Sequence, residues 1–147
     1  MTKTIVESSS KAVTIGLDEP FCIIGERINP TGRKKLALEL EAGNFETVIK
    51  DALEQVKSGA NILDINAGGV YNSNPNPNVT EPVLMKKIIE LVQDTIEVPL
   101  CIDSSVPGAL EEGLKAAKGR PLLNSVTGEE ERLDSILPLV KKYNVPV

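Results

Sequence analysis

Short apolar runs alternate with amphipathic stretches along most of the chain, and this alternation is what most constrains its fold. Each run is too short to be a buried helix, and each stretch between runs is long enough to form one. Strands that alternate with helices form parallel sheets covered by helices, so the pattern predicts an α/β protein. The runs are Phe21–Ile24, Ile62–Ile65, Leu100–Asp103 and Leu122–Asn124, and a fifth begins at Val145–Val147.

The amphipathic stretches carry helix start and stop signals. Apolar residues at helical spacing predict helices over 45–56, from Thr80 onward, over 107–118 and over 130–143. Asn44 is a predicted N-cap of the first helix and Gly59 its terminator. Pro138 is expected to kink or split the last helix.

The domain organisation follows from the same pattern. Residues 1–12 are polar and are predicted to be a flexible N-terminal tail, whereas residues 13–147 form one α/β unit. Val13–Gly16 is a candidate short extra strand before the main series. Gly68–Asn78 is rich in Asn, Pro and Gly and is predicted to be a long loop after the second strand of the series.

Composition excludes several classes of function. The chain contains no histidine, so His-based acid–base catalysis and His-ligated metal sites are excluded, and we expect no metal. A net charge of −5 argues against a nucleic-acid surface. No apolar run reaches the roughly 20 residues of a membrane span, and the N-terminus lacks a signal-peptide core, so a cytoplasmic location is expected. Cys22 and Cys101 lie in apolar runs and are expected to be buried, reduced thiols.

Each predicted strand is apolar where it starts and polar where it ends on one of its two faces. Side chains alternate between faces along a strand, so residues two apart lie together. The opposite face carries Ile23, Leu63, Ile65, Ile102 and Leu123 and is expected to pack under helices. Carboxylates and amides that collect at the carboxyl ends of parallel strands indicate a site for a polar ligand. The candidate site residues are Glu26, Asp64, Asn66, Asp103 and Asn124.

Four ordered motifs resemble the pterin-binding, dihydropteroate synthase-like barrel family. They are Ile24–Gly32, Gly59–Gly68, Cys101–Ser105 and Leu123–Val126. Within that family the chain is most similar to methyltetrahydrofolate:corrinoid protein methyltransferases and to the folate-binding module of cobalamin-dependent methionine synthase. Dihydropteroate synthase itself is the alternative, but it would be expected to carry an arginine in the loop that here is Gly68–Asn72.

The resemblance implies a (β/α)8 TIM barrel, of which this chain would be about the first half, with strands 1–4 and the start of strand 5. A complete barrel takes about 250 residues, so we expect a fragment with weak or absent catalysis on its own. Asp103 and Asn124 would line the pterin ring, with Glu26, Asp64 and Asn66 in the surrounding polar network. Arg27 points to the other face and is expected to form an ion pair there.

The implied reaction is methyl transfer between N5 of tetrahydrofolate and cobalt. Tetrahydrofolate or 5-methyltetrahydrofolate would be the substrate, and cobalamin would be carried by a partner corrinoid protein. The enzyme would orient the reactants and stabilise N5 by polar contacts, and no catalytic residue is assigned. A homodimer is expected for the full-length protein. A non-catalytic folate-binding module and a plain structural α/β domain remain alternatives.

Overall fold

A parallel four-stranded sheet covered by helices forms the body of the protein. The computed structural model describes residues 2–70 and 76–147. The strands are β1 (Thr4–Glu7), β2 (Ala12–Ile15), β3 (Ile24–Ile28), β4 (Ile62–Asn66), β5 (Leu100–Asp103) and β6 (Leu122–Asn124). The helices are α1 (Lys34–Glu41), α2 (Glu46–Lys57), α3 (Pro77–Gln93), α4 (Pro107–Ala116) and α5 (Glu130–Tyr143).

The sheet has the order β3-β4-β5-β6, so successive strands are neighbours, as the alternation predicts. The register pairs Asp64 with Cys101, Asn66 with Asp103, and Asp103 with Asn124. The polar ends of three strands are therefore aligned at one edge. Leu123 N donates to Pro146 O at 2.9 Å, so the last run lies beside β6 where a fifth strand would lie, although it is not assigned as one.

The core lies between the sheet and its helices. Four of the five residues predicted to face the helices are at most 1% exposed, namely Leu63, Ile65, Ile102 and Leu123. They pack against buried side chains of the helices, among them Leu36, Met85, Ile88, Ile89, Leu110 and Ile136. Helices α3 and α4 pack closely because Gly113 of α4 has no side chain and lets Met85 and Ile89 of α3 approach its backbone. No helix within the described residues is long and apolar enough to cross a membrane.

Strand β3, the first strand of the parallel sheet, begins at Ile24 and not at Phe21 as the sequence predicts. Phe21 is 89% exposed and Ile23 is 45% exposed, so the expected burial of Ile23 is wrong. The side chain of Asn61 accepts a hydrogen bond from Ile23 N at 2.8 Å, and Asn61 N donates to Ile23 O at 2.8 Å. This side-chain contact takes the place of the next rung of the ladder, and β3 starts at Ile24.

The N-terminal residues differ from the predicted flexible tail. Strand β1 pairs antiparallel with β2, which confirms the extra strand expected near Val13–Gly16. Val6 is fully buried in a small cluster with Ile62 and Cys101, the first inward-facing residues of their strands. Glu7 and Arg120 exchange two backbone hydrogen bonds of 2.8 Å. The hairpin therefore covers the amino end of the sheet interior, because alternation in a four-residue strand places one apolar side chain inside.

The helix boundaries are close to those predicted, with three differences. Helix α1 was not predicted, since only Leu36 and Leu40 of its eight residues are buried. Helix α3 starts at Pro77 rather than after Thr80, because the Asn76 side chain caps it by accepting from Asn78 N at 3.0 Å. Helix α5 runs through Pro138 without a break, so of the predicted kink or split the split does not occur. In the long loop, residues 71–75 lie outside the described residues.

The remaining local predictions are largely confirmed. Asn44 accepts from Glu46 N at 2.9 Å, although the N-cap position itself is Phe45. Gly59 has a φ of 101° and follows the last turn of α2, as a helix terminator should. Cys22 and Cys101 form no disulfide, Cys101 is buried and Cys22 is half-buried. Burial raises the pKa of both thiols, which keeps them protonated.

Candidate functional site

Two carboxylate–amide pairs lie side by side at the carboxyl edge of the sheet. Asn66 Nδ2 donates to Asp103 Oδ2 at 2.8 Å, and Asn124 Nδ2 donates to Asp64 Oδ2 at 3.2 Å. These four residues were predicted to share the inward face, and the parallel register brings them together from β4, β5 and β6. In each pair some donor and acceptor atoms are not used by the pair itself. The cluster can therefore bind a ligand that has both hydrogen-bond donors and acceptors.

Asp64 is the most deeply buried member of the cluster, with 3% of its surface exposed. Burial, together with the nearby charges of Asp103 and Glu26, raises its pKa to about 6. Contacts with the Cys101 thiol and with the amide of Asn124 oppose this effect. Oδ1 of Asp64 is buried and accepts no well-directed hydrogen bond within the described part of the chain. An unsatisfied acceptor here favours a ligand that donates an N–H.

A cavity of about 460 Å³ opens on the inward side of the sheet. Glu26, Asp64 and Asn124 supply its polar wall. Its apolar wall is formed by Ile24, Cys101, Leu122, Leu123 and Val147. An apolar wall with a few fixed polar groups is the usual form of a site for a small organic ligand.

The five predicted residues do not contribute equally. Glu26 lies on the exposed rim, where Asn29 Nδ2 is 3.5 Å from its Oε1. Asp103 lines a second, neighbouring cavity rather than this one, and Asn66 lines neither of the two. Its amide is engaged on both sides, by Asp103 and by Gly68 N, which donates to Asn66 Oδ1 at 2.8 Å. Asn66 therefore orients Asp103 and holds the start of the following loop.

Sequence reasoning missed Glu81 and Ser104. Ser104 Oγ donates to Glu81 Oε1, and both residues are more than nine-tenths buried directly behind Asp103. Burial raises the pKa of Glu81, the Asp103 charge adds to this, and the hydrogen bond from Ser104 opposes it. The signal was available, since Glu81, Met85 and Ile88 lie on one helical stripe and a carboxylate on an apolar stripe needs a partner.

The outer side of β3 carries the predicted ion pair of Arg27. Asp51 is 3% exposed and accepts from Arg27 Nε at 3.0 Å and from Arg33 Nη1 at 2.7 Å. One buried carboxylate thus joins the end of β3 to α2, which fixes the loop that follows Glu26. No group of three or more acidic or cysteine side chains suited to a metal ion occurs in residues 2–70 and 76–147.

Comparison with solved structures shows the fold. The chain superimposes on dihydropteroate synthase of Xanthomonas albilineans, solved with indole-2-carboxylic acid and 6-chloroguanine, with a TM-score of 0.66 and 21% identity. The match covers 99% of this chain and 49% of the synthase. The prediction that the chain is an α/β partial TIM barrel is thereby confirmed.

Sequence comparison shows the family. The chain is 36% identical over 121 residues to the methylcorrinoid:tetrahydrofolate methyltransferase of Eubacterium limosum. The match covers 80% of this chain and 40% of the methyltransferase, so the chain spans less than half of that relative. The profile described as "Pterin binding enzyme" matches residues 25–147, which include every strand of the parallel sheet except the first residue of β3. The chain belongs to the pterin-binding enzyme family.

Proposed function

We propose that this protein binds the pterin ring of a folate against the carboxylate–amide cluster of β4, β5 and β6. The single observation that carries the proposal is the pair of hydrogen-bonded couples, Asp64 with Asn124 and Asp103 with Asn66, beside a cavity of about 460 Å³. A reduced pterin presents neighbouring N–H groups and ring acceptors along one edge. Carboxylates accept from the N–H groups, and an amide both donates and accepts.

Burial makes these contacts selective. Asp64 has an unsatisfied acceptor atom, and a ligand N–H would satisfy it at no further desolvation cost to the protein. Asn66 and Asn124 hold the two carboxylates in fixed orientations, so little side-chain freedom is lost on binding. Glu26 lies at the rim and would contact a more exposed part of the ligand.

We further propose that the folate is tetrahydrofolate or 5-methyltetrahydrofolate and that the reaction is methyl transfer to or from the cobalt of a corrinoid protein. The name of the Eubacterium limosum relative supports this choice. In the direction toward cobalt, cob(I)alamin attacks the methyl carbon, the C–N5 bond breaks, and N5 takes up a proton as its electron pair returns to it. The protein's share would be to orient the ring and to stabilise N5 by hydrogen bonds.

The binding proposal is tested by calorimetric titration of the chain with tetrahydrofolate. The Asp103→Asn variant should bind at least about tenfold more weakly, since a hydrogen bond to a charged group is typically worth about 1.5–3 kcal/mol. Asp18→Asn is the matched control, because Asp18 is exposed and lies before β3, away from the cluster. Equal affinity of wild type and Asp103→Asn would contradict the proposed site.

Methyl transfer is tested separately, by the loss of cob(I)alamin absorbance in the presence of 5-methyltetrahydrofolate. A rate above that of the protein-free mixture, reduced in Asp103→Asn, would support the methyltransferase. Folate binding without any transfer would instead favour a non-catalytic folate-binding module.

A further inference from the structure

A second cavity, of about 370 Å³, lies over the carboxyl ends of β5 and β6. It adjoins the pterin cavity, because Ser125 lines both, and Asp103 and Asn124 are register neighbours on the two strands between them. Its walls differ from those of the first cavity, since they are almost entirely polar. The residues that line it include Asp103, Ser105, Ser125, Thr127, Glu129 and Arg132.

Arg132 is the only cationic side chain among the described residues that line this cavity. It is half-buried, and its Nη1 donates to the Ser105 carbonyl at 2.9 Å. No carboxylate of the described residues lies within ion-pair distance of it, whereas Arg27 and Arg33 share Asp51. A half-buried guanidinium without a counter-charge, held in one orientation by a backbone carbonyl, is suited to an incoming anion.

The position of Arg132 in its helix gives a second reason to look for a ligand. Arg132 is the third residue of α5, and a cation in the first turn opposes the helix dipole. Helix stability therefore does not explain an arginine at this position. The acidic residues of the cavity are already engaged, Asp103 by Asn66 and Glu129 by the hydroxyl of Thr127 at 3.1 Å.

We infer that Arg132 binds a carboxylate of the glutamyl tail of a folate whose pterin ring occupies the neighbouring cavity. This inference rests on the proposed function. A folate carries its ring at one end and a glutamate at the other, joined by an aminobenzoyl group, and because Ser125 lines both cavities a ligand that extends past Ser125 from the first cavity reaches the second. The free N–H groups of the guanidinium match the geometry of a carboxylate.

The test compares two ligands that differ in the tail. Tetrahydrofolate carries the glutamate, and 6-methyltetrahydropterin carries the ring alone. Arg132→Met should weaken tetrahydrofolate binding by roughly fivefold to twentyfold, the range for a charged hydrogen bond in a partly solvated site. It should leave the affinity for 6-methyltetrahydropterin within about twofold, the variation expected of a surface change. Arg132→Lys, which keeps the charge, should recover part of the loss.

Lys141→Met is the matched control, since it removes one charge from the last turn of the same helix and should change neither affinity. If Arg132→Met leaves tetrahydrofolate binding unchanged, or weakens both ligands equally, the inference is wrong while the proposed function stands. If wild type binds neither ligand, the proposed function fails and the inference fails with it. Circular dichroism of each variant establishes that it is folded.

Discussion

Asp64 makes the stability of this protein depend on pH in a direction opposite to that of most carboxylates. Burial raises its pKa from 3.8 to about 6, so the folded chain holds this proton more tightly than the unfolded chain does. Well below pH 3.8 both states are protonated and ionisation costs nothing. As the pH rises through about 6, the unfolded state ionises first and the free energy of unfolding falls.

The size of the effect follows from the two pKa values. Each pKa unit corresponds to about 1.36 kcal/mol, so a pKa of about 6 in place of 3.8 lowers the free energy of unfolding by about 3 kcal/mol above pH 7. Asp64→Asn removes this cost, because the amide has nearly the same shape and does not ionise. The asparagine has its own amide to place beside Asn124, and that adds an offset that does not depend on pH.

The assay is urea denaturation of wild type and Asp64→Asn, followed by circular dichroism, at pH values from 4 to 8. We expect the variant to gain stability relative to wild type by about 2.5 kcal/mol across this window, because the unfolded state is already more than half ionised at pH 4. Carboxylates distant from Asp64 titrate alike in both proteins, so their contributions cancel in the difference, whereas Asp103 and Glu26 interact with Asp64 and act through its raised pKa. A difference that stays flat, or that changes in the opposite direction, would refute the reasoning that Asp64 is buried at a net cost.

Two further predictions concern packing outside the cluster, both measured by urea denaturation. Asp51→Asn should destabilise the protein by about 1–3 kcal/mol, because it leaves two arginines without their shared, buried carboxylate; no loss would mean that the pair is solvated. Gly113→Ala should cost about 1–3 kcal/mol, because its Cβ would lie 2.7 Å from Ile102 Cγ2. Gly108→Ala is the control on the same helix, where the nearest atom is 3.7 Å away, and it should be neutral or stabilising by up to about 1 kcal/mol.

The sequence was sufficient to predict most of the sheet and its polar edge. A strand buried on both sides has only two possible orientations of its side chains, and a shift of one residue would exchange them. Leu63 and Ile65 must face the helices, so Asp64 and Asn66 must lie on the opposite face of the sheet, where the candidate site lies. The next strand behaves in the same way, which is why Asp103 joined the predicted site.

Contacts between residues distant in sequence could not be predicted in the same way. The helical stripe of α3 places Glu81 on the buried side, but nothing local shows that its partner is Ser104, 23 residues later. The hydrogen bond from Arg132 to the Ser105 carbonyl depends on how α5 packs against the loop that follows β5. The spacing of apolar residues within α5 gives no information about that packing. Such contacts depend on how the helices pack against one another. The hydrophobic pattern predicts each helix separately and says nothing about their packing.

The N-terminal hairpin is the element that sequence composition misrepresented, and Val6 provides its test. Val6 is fully buried against the amino end of the sheet interior, whereas its neighbour Ile5 points outward and is 42% exposed. Val6→Ala should therefore cost about 2 kcal/mol, from the lost burial of its methyl groups and the cavity that remains. Ile5→Ala removes more atoms but should cost less than about 1 kcal/mol, since its side chain is only partly shielded. A flexible tail would make both substitutions neutral in urea denaturation, and equal losses would mean that the alternation of faces in β1 is wrong. A large loss at Val6 with a small one at Ile5 would show that β1 places Val6 inside, against the end of the sheet opposite the carboxylate–amide cluster.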